Sequence, residues 1–229
     1  MKPSHRSPER FRRCAALAGL LGLCSAASQA DVIGFESGFA DQQAVTAVAT
    51  ATNTVGFSVG GGPAYIAKVG APVTAFNADD MPANTAISGN YFLTDERAGP
   101  STTLDYFLSF LHPVSSLSLN LYDYRADGGA GVGDTATLSV YSDLAMTALL
   151  GTDVFTIPAN SPDGNVEFLS VAGLDSILAA SVTFSHTDIG TGIDNIAFET
   201  AAGTVPEPAT PALAALGLMA AFAAGRRRG

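Results

Sequence analysis

The chain has no tryptophan, and both of its cysteines, Cys14 and Cys24, lie in one apolar run near the start. A disulfide framework or a thiolate zinc site in the rest of the chain is therefore excluded. Bases are almost as scarce. Between residues 31 and 204 only Lys68, Arg97 and Arg125 stand against 19 acids. Nucleic acid requires a clustered basic footprint, so this body would repel it. Long hydrophobic runs are confined to the two ends, and the HExxH pattern of a helical zinc site is absent.

Most of the missing bases are at those ends. Lys2, Arg6, Arg10, Arg12 and Arg13 precede the apolar run from Cys14 to Ala27, and Ser28-Gln29-Ala30 then puts small residues at the −3 and −1 positions of a cleavage site. Basic, apolar and small-residue regions in that order predict a secretory signal peptide over residues 1–30, cleaved after Ala30 by signal peptidase. At about 14 residues the apolar run is shorter than the ~20 that a spanning helix needs.

The far end reads Val205-Pro206-Glu207-Pro208-Ala209, then an uncharged stretch from Ala212 to Gly225, then Arg226-Arg227-Arg228. The prolines keep residues 206–208 extended. The Ala- and Leu-rich stretch favours a short helix. At ~1.5 Å per residue it covers only about 21 Å of a ~30 Å hydrocarbon layer, a thin transmembrane segment over about 209–225. The three arginines act as a membrane stop, staying cytoplasmic and leaving the body outside.

Pro206, Glu207 and Pro208, followed by an apolar segment and a terminal Arg cluster, resemble the PEP-CTERM sorting signal of Gram-negative bacteria. The resemblance covers about 25 residues from Val205 to Gly229. It implies that the tail is recognised by an exosortase, a membrane-embedded, transpeptidase-like cysteine enzyme, and removed on the way to the cell surface or extracellular matrix. Pro206, Glu207 and Pro208 are then a substrate motif and not a catalytic one.

Between the ends, over residues 31–202, short period-two runs alternate with Gly, Pro, Asn and Asp, which predicts one antiparallel β-sandwich. The expected strands are 32–35, 54–59, 65–69, 73–76, 91–93, 104–110, 116–122, 135–141, 154–157, 166–171, 181–185 and 193–198. In the clearest run Leu117, Leu119 and Leu121 alternate with Ser118, Asn120 and Tyr122. The 116–122 and 135–141 strands are expected to pair across the Gly-rich loop between them, and helix is plausible only at 144–150 and 174–180.

The opening Gly34-Phe35-Glu36 and the closing Gly192-Ile193-Asp194-Asn195-Ile196-Ala197-Phe198 resemble the frame of jelly-roll sandwiches carried by exoproteins and carbohydrate-binding modules. That resemblance implies that the first and last strands lie side by side and that Glu36, Asp194 and Asn195 hold one structural calcium. Independently, the acid excess and the abundance of hard oxygen ligands suit a divalent cation outside the cell.

Other constellations carry less chemistry. Gly56-Phe57-Ser58-Val59-Gly60 fits the G-x-S-x-G elbow of a hydrolase, yet Gly60 to Pro63 leave no helix start behind it. Asp79-Asp80 and Asp95-Glu96 are adjacent acids, which in a strand point to opposite faces and form no catalytic pair. His112 and His186 have no evident nucleophile to serve as a base. Tyr122 and Tyr124 are read as an outward stacking platform for sugar. The expected function is a non-enzymatic surface or extracellular-matrix protein, in contact with exosortase, signal peptidase, the membrane through its tail, and extracellular polysaccharide. A carbohydrate-binding module is the alternative and a secreted hydrolase the third reading.

Overall fold

The computed structural model describes residues 30–68, 91–94, 105–124, 130–161, 165–186 and 191–201. The signal peptide before Ala30, the acids at 79–80 and 95–96, the 73–76 strand, and the whole tail with its apolar helix lie outside them. The described residues form β-strands and no helix: β1 (Ala30–Ile33), β2 (Ala44–Val45), β3 (Ala47–Ala49), β4 (Thr54–Val59), β5 (Ala64–Lys68), β6 (Tyr91–Thr94), β7 (Tyr106–Tyr122), β8 (Thr135–Tyr141), β9 (Leu149–Thr156), β10 (Val166–Val171), β11 (Ile177–Phe184) and β12 (Gly192–Thr200). No helix among them is long and apolar enough to cross a membrane.

All pairings are antiparallel, and the strands run in the order β2-β5-β6-β12-β7-β11-β8-β9, with β1 on β12, β10 and β4 on β7, and β3 on β4. The 17-residue β7 belongs to two layers. Its first half, Tyr106 to Phe110, lies between β4 and β11, while Leu117 to Tyr122 lie between β10 and β12. The passage from one layer to the other falls at His112-Pro113. Proline has no N–H to give a ladder and is excluded from the middle of a flat strand, but at this bend nothing is lost. Its carbonyl accepts the Ala201 N–H at 2.9 Å.

Between the layers Leu108, Leu117, Leu119, Leu121, Leu138, Ile193 and Ile196 are buried in one core. Phe110 meets Phe198 at 5.4 Å and Phe35 meets Phe57 at 5.9 Å, both edge to face. The result is the expected jelly-roll-like antiparallel sandwich, with first and last strands adjacent: Ala30 pairs with Glu199 and Ile33 with Ile196.

Two local expectations fail. The 144–150 and 174–180 segments are not helices; Leu149 and Ile177 open β9 and β11. Their Ala and Leu content favours helix only weakly, and ladder pairing to β8 and β7 overrides it. Nor do β7 and β8 pair, because β11 is inserted between them.

Candidate functional site

Polar groups gather at the two poles of the sandwich and at one bulge in β12. Asp194 pairs with Asn120 and Ala197 with Ser118, so β12 carries one extra residue between them. Asn195 absorbs it with φ 47°, in the left-handed region that Asn tolerates better than most residues. The bulge leaves Asp194 fully buried, and neither carboxylate oxygen has a hydrogen-bond partner. Asn195 turns its amide oxygen toward β1, about 3.6 Å from where a Cβ on Gly34 would stand.

Tyr122, Gly192 and Asp194 share one face, opposite the leucines of β7. Tyr122 is 1 % exposed, its ring 5.7 Å from that of Phe92, and its hydroxyl is also without a partner. Glu36 approaches from the loop after β1, where Phe35 takes φ 52°, and its Oε1 accepts the Tyr91 N–H at 3.1 Å.

The electrostatics follow from this burial. Desolvation pushes the Asp194 carboxyl up to about 8; the neighbouring Asn195 N–H draws it down without completing a hydrogen bond, and the Glu36 charge raises it again. Desolvation, and then the Asp194 charge, push the Tyr122 phenol well above its ordinary value. A buried carboxylate with two empty oxygens, a second carboxylate near it and an orphan phenol make a donor set of hard oxygens, which suits calcium or another hard divalent cation. Among the described residues no three His, Cys, Asp or Glu side chains converge. The remaining ligands would have to be amide or backbone oxygens.

At the pole where the chain enters and leaves, Asp31 clasps the ends together. Its Oδ2 accepts the hydroxyls of Thr50 and Thr52, the latter at 2.7 Å, and the Thr52 N–H at 3.1 Å. The Thr52 hydroxyl continues to that of Thr200 at 2.6 Å. Burial raises the Asp31 carboxyl, but these donors outweigh it and hold it below the usual carboxylate value. Asn53 completes the pole, with its Nδ2 donating to the His112 carbonyl at 2.7 Å and its Oδ1 accepting the His112 N–H at 3.0 Å. Beside the clasp, a groove of about 650 Å³ runs between β1 and β3, floored by Phe35, Phe39 and Val48.

The expected sugar platform is corrected. Tyr122 lies on the predicted face of β7, but that face is covered. Tyr124 does not share it, because Asp123 turns the chain at φ 51° and buries the Tyr124 ring against Phe184 at 4.9 Å, with its hydroxyl on the His186 carbonyl at 3.0 Å. Ser58 is the next-to-last residue of β4, opposite Phe107, and the chain goes on into a glycine turn at Gly60-Gly61, so no strand-turn-helix elbow forms around it. His112 and His186 sit at opposite poles. No local pattern signals the Asp31 clasp or the Tyr122–Asp194 juxtaposition, whose members are far apart in the chain.

The tail match is specific: residues 204–228 fit the model of the PEP-CTERM protein-sorting motif. The chain therefore carries the signal of an exported exosortase substrate, anchored to or released from the cell envelope. A comparison with curated proteins finds no match. Among solved structures, the chain is similar to the K1 cleaved adhesin domain of Lys-gingipain from Porphyromonas gingivalis W83, at 13 % identity and TM-score 0.42, over 76 % of this chain and 99 % of that one. The K2 cleaved adhesin domain of Lys-gingipain matches at 10 % identity and TM-score 0.41, over 75 % and 98 %. Tailspike protein 4 of bacteriophage CBA120 matches at 13 % identity and TM-score 0.29, over 68 % of this chain and 19 % of that one.

Proposed function

We propose that this is a non-enzymatic structural protein of the cell surface or extracellular matrix, a β-sandwich exported by its signal peptide and released from its tail by exosortase. The observation that carries the reading is the sorting motif at 204–228 on a body whose described strands form one closed hydrophobic core. Pro206, Glu207 and Pro208 are the groups that exosortase reads, and the arginines at 226–228 hold the tail in the membrane until it is cut. Mass spectrometry of the protein recovered from the cell surface tests this. The wild type is expected to lack residues 226–229, and a variant with alanine at 206, 207 and 208 to retain them; an intact tail on the mature wild type would sink the reading.

One structural calcium belongs to the same proposal, held by Glu36, Asp194 and Asn195 with the Tyr122 hydroxyl at its side. A divalent charge there offsets the cost of burying Asp194 ionised and ties the loop after β1 to the bulge of β12. Calorimetric titration of metal-free protein with calcium should show one site. No heat, or the same heat for Asp194→Asn, would remove the ion. The glycan-binding alternative loses the two residues it rested on, since Tyr122 and Tyr124 are interior.

A further inference from the structure

One layer of the sandwich is made by β3, β4, the first half of β7, β11, β8 and β9, in the order β3-β4-β7-β11-β8-β9. The body carries 19 acids between residues 31 and 204, yet only one charged side chain, Asp153, falls in these strands, with β7 followed as far as Leu111. Asp153 stands opposite the buried Leu138, on the inner side of the ladder, and its Oδ2 accepts the Ser170 N–H of β10 at 2.8 Å. The outer face of the layer is therefore free of charge across its whole width, about 24 Å from β3 to β9.

The register fixes what that face presents, since alternate residues of each strand point outward. Phe107, Ser181 and Ser139 share one row, and Ser109, Ala179 and Tyr141 share the next. Ser181, Ser139 and Ala179 are buried and form a floor, and the half-buried rings of Phe107 and Tyr141 stand at either side of it. Two strands and one row apart, the two ring positions are separated by about 12 Å. Among the described residues neither ring packs on another aromatic ring. Leu149 beside Tyr141 and Val154 beside Thr137 are more than half exposed on the same face, where Ser109 and Thr137 also present hydroxyls.

Charge returns at the two ends of the layer. Asp105 and Asp134 precede β7 and β8 at one end, and Asp143 and Asp175 lie in turns at the other. No lysine or arginine among the described residues accompanies them, since Lys68 is in β5 of the other layer. An anionic polymer would meet acids at both ends, and a second copy laid face to face would set its own acidic ends against them. The opposite outer face is different. It carries Glu199 opposite Ser116, and its exposed Phe168 and Val32 stand far apart on β10 and β1, with β7 and β12 between them.

We infer that the outer face of this layer binds a neutral polysaccharide, with the rings of Phe107 and Tyr141 stacked on the faces of its sugars. A pyranose has an apolar C–H face and a perimeter of hydroxyls, which matches two aromatic rings set among serine and threonine hydroxyls on a floor of small side chains. The separation of the rings exceeds one sugar, so the fit is to a chain. A neutral polymer brings no charge to the acidic ends and leaves none to be desolvated. The inference rests on the proposed residence of the protein outside the cell, where it meets such a polymer, and it uses neither Tyr122 nor Tyr124.

Native electrophoresis of the protein recovered from the cell surface tests this, in gels containing dextran, galactomannan or hydroxyethylcellulose, with alginate as the anionic comparison. At least one neutral gel should retard the wild type, and alginate should not. Phe107→Leu and Tyr141→Leu keep apolar bulk and remove only a ring, and each is expected to weaken binding by about tenfold. Ser109→Glu, at an exposed position, sets a charge on the face and should weaken binding with both rings in place. Phe168→Leu, on the opposite face, should change nothing. Passage of the wild type unretarded through every neutral gel, full affinity in both ring variants, or an equal loss in Phe168→Leu would overturn the proposal. So would retardation by alginate alone, or a dimer in sedimentation equilibrium that Tyr141→Leu abolishes, which would give the face to a second copy. An intact tail on the mature protein sinks the sorting reading whatever the gels show, so the two failures are distinguishable.

Discussion

The carboxylate of Asp194 is buried on the same face of the β12–β7 pair as the hydroxyl of Tyr122, and neither group completes a hydrogen bond. Two orphan polar groups on one buried face are unusual, since most buried polar groups are satisfied. Their cost makes the bulge of β12 sensitive to charge, protonation and metal.

Asp194→Asn should therefore separate the metal-free and calcium-loaded states. In chelator at pH 8 the variant is expected to melt above the wild type, because an ionised carboxylate has been replaced by a neutral amide of the same shape. In millimolar calcium the order should reverse. A wild type that gains nothing from calcium while the variant still melts higher would leave the site as a strained acid and nothing more.

The pH dependence of the metal-free protein follows from the sign of the shift. The Asp194 carboxyl is raised from 3.8 to about 8 in the fold, so its contribution is fully present below about pH 4 and is lost as pH rises towards 8. Metal-free wild type should melt higher at pH 5.5 than at pH 8, and Asp194→Asn should flatten that slope. An unchanged slope in the variant would assign the dependence to other groups.

The two interior tyrosines should respond oppositely to loss of their hydroxyls. Tyr122→Phe removes an orphan and is expected to be neutral or stabilising without metal. Tyr124→Phe leaves the His186 carbonyl without its donor and should cost about 1 kcal/mol. Equal losses from both in urea melts would contradict the assignment.

Gly192 leaves no space for a side chain. A Cβ there would run into Phe92 Cδ2 and stand 2.8 Å from its Cε2, against a ring that is fully buried. Gly192→Ala should cost about 1–3 kcal/mol in chemical denaturation, and a companion Phe92→Leu should recover part of it.

The clasp at the entry pole offers a further substitution. Asp31→Ala leaves the Thr50 and Thr52 hydroxyls and the Thr52 N–H without their acceptor and is expected to cost about 1–3 kcal/mol. Because the Asp31 carboxyl is held below 3.8, wild type should lose this contribution only as pH falls through that lowered value, and the variant should show no such loss.

Much of the scaffold was legible in the sequence. The limits of β4, β8 and β10 coincide with runs of alternating apolar residues, since each of these strands has one face on the core and a turn at either end. Across β7 the pattern reads as two strands, 104–110 and 116–122, because His112-Pro113 resembles a stop. It is a stop for a flat strand, but a bent strand passing between layers uses it. Period two placed Tyr122 on the correct face and then failed, because alternation tells which face a residue occupies and not whether something covers that face. β2 and β3 are too short to carry a pattern at all. The Asp31 clasp depends on contacts across 21 and 148 residues, and no local rule connects positions so far apart.

The adjacency of β1 and β12 also has a mechanical side. When the body is held at its outer pole and the uncut tail is drawn toward the membrane, the pull runs along β12, parallel to its neighbours β7 and β1. The rungs of both ladders are then loaded together in shear and not opened one by one as in a zipper. A domain strung in this way resists extension from the end by which it is tethered.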